Sequence, residues 1–198
     1  MPSALVLLAD GTEEMEFTIT YDTLVRAGVK TLSAYVPTIS FGTRTVSPPV
    51  AKGSRGINIM PDSYLEASVC GPDQHDLLVI PGGAIGAATI STNPVVQQLI
   101  RDYIKSGKYV GMICAGSLAA KMSDLPRQSL TSHPSVRAEL EPEFEYSEEP
   151  VVVSGNLVTS RGPGTAFPFA LTLVELLCGK EKREEVATPM IFPTGTPW

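Results

Sequence analysis

Histidine and cysteine are scarce in this chain: two His and three Cys among 198 residues. The cysteines, Cys70, Cys114 and Cys178, show no C-x-x-C spacing, and an odd count fits a disulfide framework poorly. With only His75 and His133 beside them, no structural zinc set is expected. Long apolar runs are missing too. The longest, such as residues 4–9 and 77–80, are far too short to cross a bilayer, so no membrane partner is expected. Basic clusters are missing as well: the net charge is −6, which argues against a nucleic-acid partner. The start has no charged segment leading into an apolar stretch and a cleavage site, so a cytoplasmic location is expected, with the nucleus also open.

The composition is that of a globular chain. At 43% hydrophobic residues, it can bury one sizeable core, and its length fits a single domain spanning residues 1–198. Residues 3–9 read as a buried strand ending at Asp10-Gly11-Thr12. Residues 14–27 have helical spacing and stop at Gly28, and residues 31–36 form a second strand. This strand–helix–strand start predicts a mostly parallel sheet with helices on both faces. Residues 37–55, with Pro48-Pro49, read as an excursion or hairpin before a short strand at 57–60. Leu77–Ile80 reads as a strand entering Pro81-Gly82-Gly83. Asn93-Pro94 opens a helix that runs to about 106. Tyr109–Ile113 leads into Cys114-Ala115-Gly116, with a helix continuing through 122. A hairpin over 151–153 and 157–159 turns at Gly155-Asn156, and a last helix covers Ala166–Cys178. The last dozen residues read as extended.

Cys114 is the candidate nucleophile. It falls where a strand turns into a helix, at the sheet edge where α/β proteins build their sites. The free N–H groups of the following turn would favour thiolate over thiol. Backbone N–H groups of Gly82, Gly83 and Ala115 are the expected oxyanion and substrate donors. Glu16 is the candidate partner carboxyl, with a raised pKa beside a thiol, able to donate to sulfur and later act as base. Glu13 and Glu14 read as solvated first-turn acids. Cys70 and Cys178 read as packing residues, and His133, before Pro134, as a turn residue.

Taken in order, Ala9-Asp10-Gly11-Thr12-Glu13-Glu14-Met15-Glu16, Arg26-Ala27-Gly28, Pro81-Gly82-Gly83, Ile113-Cys114-Ala115-Gly116, Thr131-Ser132-His133-Pro134 and Thr159-Ser160-Arg161-Gly162-Pro163-Gly164-Thr165 span nearly the whole chain. The sequence resembles the ThiJ/PfpI superfamily, in the branch of the Parkinson's-disease-linked glyoxalase/deglycase protein. The resemblance implies a flavodoxin-like three-layer sandwich, a homodimer, a reactive Cys114, a partner carboxyl at Glu16 and a nearby imidazole at His133. It also implies a cofactor-free, glutathione-independent glyoxalase acting on a small 2-oxoaldehyde, methylglyoxal, with deglycase activity attributed to the same family. Two other roles stay open: an oxidative-stress protein working through Cys114 oxidation, and a chaperone. Superfamily proteases carry His after the nucleophile, where this chain has Ala115. Class I glutamine amidotransferases use His-x-Glu, where it has His133-Pro134-Ser135. Around Gly53 and Met60, where some relatives carry additional cysteines, it has none.

Overall fold

Alternation along the first strand sets the architecture. Ala4, Val6 and Leu8 pack into one core cluster, and Leu5 and Leu7 into a second one on the opposite side of the sheet. A strand buried on both faces needs helices on both faces. The computed structural model describes residues 1–38 and 50–196. In chain order they form β1 (Ser3–Leu8), α1 (Glu14–Arg26), β2 (Lys30–Tyr35), β3 (Ala51–Lys52), β4 (Asn58–Ile59), β5 (Ser63–Tyr64), α2 (Ala67–Cys70) and β6 (Leu77–Ile80). Then follow α3 (Ala84–Thr92), α4 (Pro94–Lys105), β7 (Tyr109–Ile113), α5 (Leu118–Met122), β8 (Ser129–Leu130), α6 (Arg137–Leu140) and β9 (Glu145–Tyr146). β10 (Val151–Ser154), β11 (Leu157–Ser160), α7 (Ala166–Cys178) and α8 (Lys180–Ala187) complete the set.

The central sheet runs β10-β11-β7-β6-β1-β2-β5. All its neighbours are parallel except the β10–β11 hairpin. α1 and α7 cover one face, while α3, α4 and α5 cover the other. This is the expected flavodoxin-like three-layer α/β sandwich. The chain leaves β1 toward β2 on one side, and β6 takes the other side. The crevice beyond the carboxyl ends of β1, β6 and β7 is therefore the place where such sheets hold ligands.

Local chemistry explains the boundaries. Asn93 caps α4, its side chain accepting from the Val95 N–H at 2.9 Å, and Pro94 occupies the first helical position. Two helices depart from the sequence reading. α3 follows Gly82-Gly83 directly, and α8 follows Gly179, in two stretches for which no element was read from sequence. Of the excursion expected over 37–55, residues 39–49, with Pro48-Pro49, lie outside the described residues. Its end does form a hairpin, β3 pairing antiparallel with β4. Cys70, read as a packing residue, is buried in α2, and its carbonyl accepts from the Tyr103 hydroxyl at 2.8 Å. Among the described residues, no helix is long and apolar enough to cross a membrane.

Candidate active site

Three chain segments meet at the crevice. The turn after β1 carries Glu13 to the cap position of α1, where its side chain accepts from the Glu16 N–H at 2.8 Å. That fixes the first turn and aims Glu16 inward, where it is fully buried. Glu14 points the other way and is also buried. Its carboxylate takes the N–H groups of Arg55 and Ile57 and the Ser54 hydroxyl, clasping the β3–β4 turn. Burial pushes its pKa up, but those donors outweigh burial and hold it below the usual value. Glu13 and Glu14 are thus structural groups, not the solvated surface acids expected from sequence. The reason is non-local: the covering hairpin comes some forty residues later.

Cys114 opens a short 3-10 turn at the end of β7, with φ of +63°. That left-handed conformation is strained for a residue with a Cβ, and costs on the order of 1–3 kcal/mol. Strain of this kind persists where it aims a side chain, and here it projects a half-buried sulfur toward the crevice. The backbone N–H groups of Ala115 and Gly83 face that sulfur. Gly83 owes its position to a φ of +85° and to its close packing on the Gly11 carbonyl, which leaves no room for a Cβ.

Gly82 plays a different part from the one expected. Its N–H donates to Glu16 Oε2 at 2.7 Å, so it orients the carboxyl and is not a free oxyanion donor. Its carbonyl accepts from the Glu13 N–H at 3.0 Å, closing the loop on itself. A side chain at this position would collide with the reacting pair. A Cβ would stand 2.6 Å from both Cys114 Cβ and Glu16 Oε2, and 3.0 Å from the sulfur. Gly82→Ala is expected to fold, at a cost of about 1–3 kcal/mol for overpacking. It should lose most turnover, because carboxyl and thiol are forced apart. A kcat within twofold of the wild type would contradict this geometry.

The electrostatics follow from burial. Glu16 is raised from 4.5 to about 7, chiefly by desolvation, which the Gly82 N–H and Cys114 only partly oppose, with the Glu13 charge adding to the rise. Its second oxygen, Oε1, is buried and has no hydrogen-bond partner among the described residues. A carboxylate with a bare buried oxygen is costly, and that favours the protonated form. Cys114 is pushed up to about 12, first by burial and then by the Glu16 charge, against the pull of the Ala115 and Gly83 N–H groups. This reverses the sequence expectation of a thiolate stabilised by the turn alone. Two groups in contact cannot both be anionic, so over a wide pH range the pair retains one proton.

His133 lies at the crevice edge, its N–H donating to the Cys114 carbonyl at 3.3 Å. Its Nδ1 is engaged by Ser135, through the backbone N–H at 3.2 Å and the hydroxyl at 2.8 Å. The other histidine, His75, is buried just before β6, at the opposite end of the strand from the crevice. Arg26 pairs with Asp22 on the exposed side of α1. Among the described residues, no cluster of His, Cys, Asp and Glu could hold a metal ion.

Residues 2–176 match the family model described as "DJ-1/PfpI family". The chain is 38% identical over 198 residues to the glutathione-independent glyoxalase DJ-1 of Schizosaccharomyces pombe, covering 98% of this chain and 100% of that one. It is 36% identical over 190 residues to the glutathione-independent glyoxalase DJR-1.2 of Caenorhabditis elegans, covering 95% of each. Among solved structures, Drosophila melanogaster DJ-1beta superposes with a TM-score of 0.87 at 38% identity, covering 97% of this chain and 98% of that one. From Cys114 with Glu16 at the crevice to the full length of the sandwich, the chain belongs to the DJ-1/PfpI family.

Proposed function

We propose that the protein is a glutathione-independent glyoxalase that converts methylglyoxal and water to lactate. The observation that carries this reading is the Glu16–Cys114 pair, buried together and flanked by the Gly83 and Ala115 N–H groups. The relatives named as glutathione-independent glyoxalases support it. Once Glu16 is ionised, its carboxylate takes the thiol proton as sulfur attacks the aldehyde carbon. The proton then passes to the new alkoxide, giving a hemithioacetal. Glu16 next removes the C1 hydrogen, and the enediol electrons return it to C2. The result is a thioester at C1 and a hydroxyl at C2. Water hydrolyses the thioester, releasing lactate and restoring the thiol, so no redox partner is consumed. Negative charge on the substrate oxygens is held by the Gly83 and Ala115 N–H groups, with His133 at the rim.

The base in this sequence is the Glu16 carboxylate. Turnover is therefore expected to rise with pH through about 7, the value to which burial lifts that group. A kcat/KM profile that is flat from pH 5 to 9 would sink the assignment of Glu16 as base.

A homodimer is part of the proposal. Met15 and Val25 of α1 are 53% and 48% exposed, and Ile57 and Met60 beside the β3–β4 hairpin are 58% and 75% exposed. Exposed apolar side chains of this kind suit burial against a second copy of the chain. Light scattering should give about twice the 21.1 kDa chain mass, with Met15→Glu shifting it toward one copy. A monomeric wild type at micromolar concentration would refute it.

A further inference from the structure

The main chain around His133 is held on several sides. Thr131 N–H donates to Thr159 Oγ1 at 2.9 Å, and Ser117 Oγ donates to the Thr131 carbonyl at 2.9 Å. The Tyr146 hydroxyl donates to the Ser132 carbonyl at 3.0 Å, and His133 N–H is tied to the Cys114 carbonyl. What remains free is the rotation of the imidazole and the choice of which ring nitrogen carries hydrogen. Ser135 governs both. Its backbone N–H and its hydroxyl converge on Nδ1, at 3.2 and 2.8 Å. A backbone N–H can only donate, so it favours a lone pair at Nδ1 with the hydrogen on Nε2, but at 3.2 Å it is the longer and weaker of the two contacts and leaves most of the hold to the hydroxyl. The hydroxyl then donates to the same lone pair. The adjoining Cδ2 lies toward Gly162, where a Cβ would stand 3.6 Å away, so no side chain from that residue covers this edge.

We propose that Ser135 is a positioning residue that holds neutral His133 as the Nε2–H tautomer, making it a hydrogen-bond donor to the substrate oxygen and leaving Glu16 the base. The role in turnover rests on the glyoxalase reading; the tautomer does not. In the substrate, the oxygen to be held is the C2 carbonyl of the 2-oxoaldehyde, which gains negative charge as the enediol forms. A donor at Nε2 stabilises that charge and removes no proton, a division of labour that neither side chain alone would specify.

The test is 15N NMR of the imidazole at about pH 8, above the ordinary imidazole range, paired with steady-state kinetics. The wild type should show hydrogen on Nε2. Ser135→Ala keeps the longer contact and loses the shorter, so a mixture of tautomers is expected. Its kcat should fall about threefold to tenfold, as for one lost hydrogen bond, with KM little changed. Ser135→Thr, which keeps the hydroxyl, should restore both readouts. Hydrogen on Nδ1 in the wild type, or an unchanged tautomer ratio in Ser135→Ala, would overturn the proposal. Full turnover in His133→Gln would overturn the donor role even with the tautomer as proposed. A wild type that makes no lactate would defeat the glyoxalase reading itself, and the NMR spectra would still decide the tautomer.

Discussion

Glu16→Gln is expected to make the protein more stable at about pH 8 and nearly inactive, a combination that follows from one buried carboxyl. Burial lifts Glu16 from 4.5 to about 7. Between those pH values the folded chain keeps a proton that the unfolded chain has released, so stability falls as pH rises through the interval. The loss amounts to about 3 kcal/mol once Glu16 is ionised. Glutamine retains an acceptor for the Gly82 N–H and has no charge to bury. The variant should therefore be about 2–3 kcal/mol more stable at about pH 8 and similar to the wild type near pH 4. Turnover should fall by about 10²–10⁴-fold with the loss of the base. Urea melts at the two pH values check the first part, and a variant no more stable at the higher pH would show that Glu16 is not held against its ionisation.

Cys114→Ala is expected to lower turnover at least about a thousandfold while leaving the fold intact. Alanine keeps the Cβ, so the left-handed backbone at this position is no more strained than before. It removes the only atom that can form the thioester. The same change leaves Glu16 buried and removes one of the contacts that lower its pKa, so the carboxyl should still titrate no lower than in the wild type. Cys70→Ser and Cys178→Ser serve as controls, since the first is buried in α2 and the second is half-buried at the end of α7. If either control loses turnover as Cys114→Ala does, the nucleophile has been misassigned.

How much of this was legible beforehand depends on the element. β6, β7 and α7 have the bounds read from sequence, because an apolar run, a cap or a glycine marks each end. α3 was missed because Ala84–Thr92 is apolar on all sides and has no polar stripe to reveal a helical period. α8 was missed for the opposite reason. Lys180–Ala187 is charged nearly throughout and buries little beyond Val186, with the Lys182–Glu185 pair inside it and the Arg183–Glu175 pair to α7 supporting it.

At the site, the motifs located Cys114, Glu16 and the Gly82-Gly83 turn. What they could not disclose was non-local. Glu14 is buried by a hairpin distant in sequence, and the Gly82 N–H is taken by a carboxyl 66 positions away. The +63° φ at Cys114 is set by the strand–turn junction and not by residue type. The thiol's upward shift comes from burial and from Glu16 together, so neighbouring sequence gave the wrong sign.

The most direct test is lactate formation from methylglyoxal with no glutathione present, using protein whose Cys114 is shown to be reduced. Steady lactate production by the wild type, abolished in Cys114→Ala, is the expected result. No lactate from the reduced wild-type protein would contradict the proposed function.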